Sequence, residues 1–111
     1  MPTSILDGPH PLCIKHLASR IRRKAPGTYL LSATRGGEIG PRRVERSDDD
    51  VAEQLKQHIG LYSHFAWAYA SSPMAAYEME CEMYHVWRPP DNLKHPEKPT
   101  GVDWNCPVCG H

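Results

Sequence analysis

Thr28-Tyr29-Leu30-Leu31-Ser32-Ala33 opens the stretch of sequence that decides the fold. This short run is rich in residues that favour β-strands. The residues Arg35-Gly36-Gly37-Glu38-Ile39-Gly40 follow it and predict a turn, because glycine interrupts regular structure. Pro41-Arg42-Arg43-Val44-Glu45 then reads as a returning strand. The stretch therefore predicts an antiparallel hairpin.

The segments around the hairpin predict one further strand and three helices. Apolar residues recur at helical spacing before the hairpin, and Ser47 followed by three aspartates is typical of a helix start. Phe65, Trp67 and Tyr69 alternate as in a strand. The predicted helices cover residues 11–24, residues 48–58 and a segment opened by Ser71-Ser72-Pro73, and the third strand covers residues 61–70. We expect one α/β domain with a small three-stranded sheet flanked by helices, divided into an N-terminal helix (1–25), a core (26–87) and an irregular tail (88–111).

The tail ends in Asn105-Cys106-Pro107-Val108-Cys109-Gly110-His111. Two thiolates separated by two residues supply half of a tetrahedral zinc site, so further ligands must come from elsewhere in the chain. Cys81 and His85 lie four residues apart in a predicted helix, on one face of it. These four residues together predict a closed Cys3His site of the structural kind.

Other interpretations of these cysteines remain open. His95, which stands before Pro96, is the alternative fourth ligand. A redox-active Cys-x-x-Cys pair normally opens a helix after a strand, which this tail does not resemble. A disulfide is disfavoured, because the first residues do not form a basic, apolar signal peptide and we therefore expect a reducing, cytoplasmic location.

Charge is balanced in total but clustered locally. The chain has 13 basic and 13 acidic residues, so its net charge predicts no partner. One group of cations, which we call the basic segment, lies in the N-terminal part and consists of Lys15, Arg20, Arg22, Arg23 and Lys24. Such clusters suit phosphate binding, although an ordinary solvated surface has the same composition. No apolar run is long enough to span a membrane.

Several segments, taken in order, match the motifs of one known domain family. Pro26-Gly27-Thr28-Tyr29-Leu30-Leu31 is similar to the first-strand motif, and Arg43-Val44-Glu45-Arg46-Ser47-Asp48-Asp49 to the second strand and the turn after it. The helix containing Ala76 and Glu80 resembles the one in which an alanine precedes a metal-binding glutamate by four residues. This ordered set resembles the GIY-YIG nuclease domain, and the end of the chain is similar to that of members with zinc-binding tails.

The resemblance implies phosphodiester hydrolysis with a divalent ion, which neutralises the negative charge that develops on the phosphate in the transition state. Tyr29 would assist the nucleophile and Glu80 would hold Mg²⁺ or Mn²⁺. However, Arg43 occupies the position of a second tyrosine, Glu45 that of a glycine and Gln54 that of a helix arginine. Arg43 or Arg46 would then have to supply the missing cation.

Two functions follow from this comparison. The first is cleavage of nucleic acid, with DNA preferred over RNA as substrate and Tyr29, Arg43, Arg46 and Glu80 as the catalytic set. The second is a catalytically inactive module that binds nucleic acid or another protein, with a fold stabilised by structural zinc. Without the resemblance, Tyr29 could be a core aromatic residue, and Glu80 one of several solvated acids beside Glu78 and Glu82.

Overall fold

The structure is a computed structural model that describes residues 6–110. Within these residues, four strands form one sheet in the order β1-β4-β2-β3, and all neighbouring strands are antiparallel. The α/β class predicted from the sequence is confirmed. The elements are β1 (Asp7–Pro11), α1 (Ile14–Arg20), β2 (Gly27–Arg35), β3 (Glu38–Ser47), α2 (Val51–Lys56), β4 (His64–Tyr69) and α3 (Pro73–Trp87).

The sheet has one strand more than the three that were predicted. Among the described strands, β1 lies at an edge and pairs with β4 alone, through Asp7, His10 and Pro11. Its two prolines are not typical of a β-strand, because proline cannot donate a hydrogen bond to a sheet, and the sequence therefore did not predict this strand. At an edge this loss is tolerated, since one side of the strand needs no partner.

The predicted hairpin is confirmed as β2 and β3. Gly36 and Gly37 connect Arg35 to Glu38 with φ angles of 59° and 84°. A two-residue hairpin turn of this kind needs positive φ at both positions, which glycine adopts without strain. A register shift nearby leaves Arg42 without a partner on β2, as in a β-bulge.

Helices cover both faces of the sheet. The larger core packs α1 and α2 against one face, with Leu17, Val51 and Leu55 of the helices meeting Tyr29 and Phe65 of the strands. On the other face, Leu30, Val44 and Ala66 pack against Met83 of α3. Side chains alternate between the two faces along each strand. Tyr29 and Leu30 therefore belong to different cores.

Two of the helices are shorter than predicted. The chain enters α1 from strand β1, so the helix begins at Ile14 rather than at residue 11. α2 begins after Asp50, whose carboxylate accepts a hydrogen bond from the Glu53 N–H, whereas Ser47 accepts from residues 49 and 50 before the helix. Ser72 caps α3, where the predicted start is confirmed. None of the described helices is long and apolar enough to cross a membrane.

The irregular tail lies along the free edge of β3. The Asn92 side chain accepts a hydrogen bond from the Val44 N–H (2.8 Å) and donates one to the Val44 carbonyl (2.9 Å). The Asp91 N–H donates to the Arg42 carbonyl, and the Asp91 carboxylate accepts from the Arg42 guanidinium (2.8 Å). The tail thus satisfies backbone groups that an edge strand would otherwise leave unpaired.

Candidate metal centre and candidate active site

Four side chains converge where the tail meets the end of α3, and we call them the Cys/His cluster: His85, His95, Cys106 and Cys109. Their ligand atoms all lie within 4.8 Å of one another. The sulfur of Cys109 is 3.5 Å from Nε2 of His95. Two thiolates and two imidazoles at these separations could hold one metal ion, and four N and S donors are the set that structural zinc prefers.

Two observations on the histidines fit a metal ligand set. Nε2 of His85 is buried and has no hydrogen-bond partner among the described residues, which is costly unless another group satisfies it. Nδ1 of His95 lies 2.9 Å from the Pro96 carbonyl. That contact orients the ring and leaves Nε2 to face the cluster, as second-shell contacts do in metal sites.

The turn around Cys106 favours a thiolate. The Val108 N–H points at the Cys106 sulfur (3.4 Å), and the Gly110 N–H donates to the Cys106 carbonyl. Burial of the thiol opposes ionisation, but hydrogen bonds from the backbone of Cys109 and Val108, together with those from the side chains of His95 and Cys109, lower the pKa of Cys106 to about 6. A thiol that ionises near neutral pH is ready to bind metal, because the thiolate is the ligand.

The sequence predicts a ligand set of Cys106 and Cys109 with Cys81 and one histidine. The Cys/His cluster differs in having both histidines and not Cys81. Both histidines belong to the Cys/His cluster, whereas Cys81 packs one helical turn earlier in an apolar group with Tyr77, Trp104 and Cys106. Its thiol is fully buried, and burial raises its pKa to about 12. Cys81 therefore lies beside Cys106 but outside the group of four whose ligand atoms are all within 4.8 Å of one another.

The residues predicted to be catalytic lie around a second feature, a cleft of about 530 Å³ at the edge of β3. We call it the β3-edge cleft. Strand β3, the start of α2, α3 and the tail all contribute to its walls. Its lining residues are Arg43, Val44, Glu45, Arg46, Ser47, Asp48, Asp49, Gln54, Glu80, Asn92 and Glu97.

Tyr29 does not line the cleft but lies behind Glu45. Its hydroxyl donates to Glu45 Oε1 (3.0 Å) and lies 3.2 Å from Nε2 of His58. Burial and then the Glu45 carboxylate raise the pKa of Tyr29 far above its ordinary value of 10.0. A fully buried hydroxyl that is held protonated is poorly suited to activate a nucleophile.

Glu45 is the centre of this hydrogen-bonded group. Arg43 donates to its second oxygen, and Nε2 of His58 lies 3.3 Å from the first. Burial alone would raise the pKa of Glu45, but the contacts from His58 and Arg43 lower it to about 2. Glu45 is thus an anion over the neutral pH range, and its negative charge compensates the positive charge of Arg43.

Glu80 and Arg46 form a separate, nearly buried pair on the α3 side. Nη1 of Arg46 is 2.7 Å from Glu80 Oε1, and the two side chains are only 12% and 9% exposed. Burial raises the pKa of Glu80 to about 7 although the Arg46 guanidinium opposes the shift. Arg46 also donates to Asp48 (2.8 Å) and to the Glu97 carbonyl (2.7 Å).

The structure thus brings Arg43, Arg46 and Glu80 to one cleft and places Tyr29 on the other face of the sheet, although the Glu80 carboxylate, in addition to burial, still helps to raise the pKa of Tyr29. Tyr29 extends from the face of the sheet covered by α1 and α2, and Glu80 lies on α3 against the other face. The β3-edge cleft joins the two faces only around the edge strand. Five acidic residues and two arginines line it, an unfavourable balance for a phosphate group.

Sequence reasoning missed two residues that organise this region. His58 contacts both Tyr29 and Glu45. The Asn92 side chain makes the hydrogen bonds to the Val44 backbone that a neighbouring strand would otherwise make. His58 lies just after α2, and nothing in its local pattern indicates a partner 29 residues away. For Asn92, a lone Pro-Pro-Asp-Asn sequence predicts a turn but not its docking on β3.

Comparison of the chain with protein-family models, with curated proteins and with solved structures found no match.

Proposed function

We propose that this chain is a nucleic-acid-binding module with a GIY-YIG-like core whose catalytic positions no longer support cleavage, and that a structural zinc ion in the Cys/His cluster holds its tail. One observation carries the proposal. Both arginines predicted to be catalytic are already paired with carboxylates, Arg43 with Glu45 and Arg46 with Glu80, whereas the cations of the basic segment take part in no ion pair with an acid of residues 6–110.

The lack of an available catalytic group argues against hydrolysis. Arg43 is paired with Glu45, and Arg46 with Glu80 and Asp48. Stabilising a pentavalent phosphate requires cations that are aimed at the substrate and not already compensated. The surplus of acidic residues in the β3-edge cleft opposes the approach of a phosphodiester as well.

The basic segment offers a more suitable surface. Arg20, Arg22 and Lys24 are exposed, and the guanidinium of Arg23 lies 4.2 Å from the centre of the Tyr69 ring. The hydroxyl oxygen of Tyr69 accepts hydrogen bonds from the backbone N–H groups of Arg22 and Arg23 (both 3.0 Å). These contacts fix the backbone just after α1, so that clustered cations are presented on an ordered segment. Ordered cations bind phosphates at a smaller entropic cost.

The binding assay is a titration of labelled single- and double-stranded DNA and RNA by fluorescence anisotropy between about 50 and 200 mM salt, the range over which phosphate contacts weaken strongly. We expect binding to DNA that falls steeply with salt. Arg20→Gln/Lys24→Gln removes two cations, and each lost phosphate contact should reduce the slope of log K against log salt by about 0.9 on duplex DNA.

A matched control removes the same charge elsewhere. Arg35 in the hairpin and Lys94 in the tail are exposed, and Arg35→Gln/Lys94→Gln changes the net charge equally. We expect this variant to retain the wild-type slope. Absence of binding, an affinity independent of salt, or equal losses in the two double variants would overturn the assignment to the basic segment and favour a protein partner.

The catalytic part of the proposal has its own assay. We expect no cleavage of DNA or RNA after incubation with Mg²⁺ or Mn²⁺. Cleavage by wild type that Glu80→Gln abolishes would show that the active site survives. That result would restore the first of the two functions derived from the sequence.

The metal is assigned as zinc from its donors. Two sulfurs and two imidazole nitrogens exclude Mg²⁺ and Ca²⁺, which take oxygen ligands, and a closed four-donor shell favours Zn²⁺. Mass spectrometry of metals in protein purified under reducing conditions should give one zinc per chain. Protein without zinc that is nevertheless folded and resists added zinc would overturn this assignment.

A further inference from the structure

Three oxygen atoms surround the guanidinium of Arg46. They belong to the Asp48 carboxylate (2.8 Å from Nε), the Glu80 carboxylate and the Glu97 carbonyl (both 2.7 Å from Nη1). Carboxylate and carbonyl oxygens are also the ligands that hard divalent cations prefer. The group therefore resembles an oxygen-lined cation site in which the cation is a side chain of the protein itself.

The GIY-YIG resemblance implies a divalent ion on Glu80, but the residues around Glu80 do not fit one. Its carboxylate is buried and already paired with Arg46, so an incoming ion would have to displace a guanidinium that is itself 12% exposed. Two cations at this distance would also repel each other strongly in a site with little solvent.

We propose that Arg46 is an internal cation that occupies the position of a divalent ion beside Glu80. The wild-type chain therefore binds neither Mg²⁺ nor Mn²⁺ at Glu80. Removing the guanidinium exposes a divalent-cation site made by Glu80, Asp48 and the Glu97 carbonyl. Three separate elements supply these oxygens: α3, the turn after β3 and the tail. The inference does not rest on nucleic-acid binding, because it concerns only the charge balance inside the β3-edge cleft.

Loss of Arg46 should create both the space and the charge for an ion. Arg46→Ser removes a cation with a planar fork of donors and leaves Asp48 and Glu80 without it, so that Glu80, whose pKa burial raises and Arg46 holds down, gives up its proton when another cation binds in its place. Removing one partner of a buried pair normally destabilises a protein, and a bound cation can restore what was lost. Added Mn²⁺ should therefore raise the melting temperature of Arg46→Ser and leave that of wild type unchanged.

The test uses the zinc-loaded chain and titrates it with Mn²⁺ by calorimetry. Any Mn²⁺ binding by wild type should be the same in Glu80→Gln, because none of it involves Glu80. Arg46→Ser should bind Mn²⁺ at least about tenfold more tightly than wild type, since affinity of oxygen sites depends steeply on ligand charge. Arg46→Ser/Glu80→Gln should return to the wild-type behaviour. Arg42→Ala is the matched control, because Arg42 pairs with the single carboxylate of Asp91.

A second readout locates the ion. The Tyr77 ring centre lies 5.2 Å from the Cζ atom of Arg46, so Tb³⁺ bound there should show luminescence excited through tyrosine. We expect this emission in Arg46→Ser and its loss when Glu80→Gln is added.

Two results would overturn the inference. The first is a Glu80-dependent Mn²⁺ site in wild type, which can be measured even if Arg46→Ser does not fold. The second is a folded Arg46→Ser variant, checked by circular dichroism, that gains no Mn²⁺ binding.

Discussion

Replacing Asn92 by alanine should destabilise the chain far more than its position in an irregular tail suggests. The side chain makes two hydrogen bonds to the backbone of Val44, a fully buried residue of the edge strand. Alanine leaves one buried N–H and one buried C=O without a partner, and each such group costs about 1–3 kcal/mol. Because water can reach the strand edge in part, we expect a loss of about 2–4 kcal/mol in the free energy of unfolding.

Urea unfolding followed by tryptophan fluorescence, with zinc present, measures this loss. Leu93→Ala is the control, since Leu93 is the next residue in the chain and 90% exposed, and its replacement should change stability by less than about 0.5 kcal/mol. Asn92→Asp keeps the acceptor for the Val44 N–H but places a carboxylate oxygen against the Val44 carbonyl, so it should also destabilise. If Asn92→Ala behaved like Leu93→Ala, the tail would not be a structural partner of β3.

Three further predictions concern the metal, the basic segment and pH. His85→Ala should lose bound zinc by mass spectrometry while Cys81→Ser keeps it; the reverse would restore Cys81 as a ligand. Tyr69→Phe removes the acceptor of two backbone N–H groups without changing charge, so DNA binding should weaken a few-fold with an unchanged salt slope, and a changed slope would argue against this reading. The pKa of Glu80 is raised from its ordinary 4.5 to about 7 in the folded chain. The free energy of unfolding should therefore fall as the pH rises through this range, by up to about 3 kcal/mol. Urea unfolding at pH 4.5–8 should show this fall in wild type and not in Glu80→Gln; equal slopes would place the titration elsewhere.

Much of the fold follows from local signals in the sequence. The two glycines of the hairpin turn, Ser72 before α3, and the alternation of Phe65 and Trp67 each act over a few residues, and the structure has the predicted element at each place. Strand β1 was missed because it carries two prolines and pairs with β4, more than 50 positions along the chain. Only the unpaired outer side of an edge strand makes such a sequence possible.

The site was less accessible to sequence reasoning, because its contacts join distant segments. The cysteine spacing identified half of the Cys/His cluster, but the choice among Cys81, His85 and His95 depends on the path of residues 88–105, which have no periodic pattern. Arg46 and Glu80 are 34 residues apart and meet only because α3 packs on β3. Motif matching therefore singled out both positions without revealing that they neutralise each other.

The path of the tail explains how the metal centre and the β3-edge cleft depend on each other. After His85 on α3, the chain contacts β3 through Asn92, returns to the cluster at His95, and two residues later offers the Glu97 carbonyl to Arg46. Contacts with β3 and with the metal centre thus alternate along the tail. An ion that joins His85 to His95 closes a short loop around the Asn92 contact, and closing a short loop costs little entropy once its ends are fixed. Zinc would therefore hold in place the carbonyl that completes the surroundings of Arg46, although it lies outside the cleft.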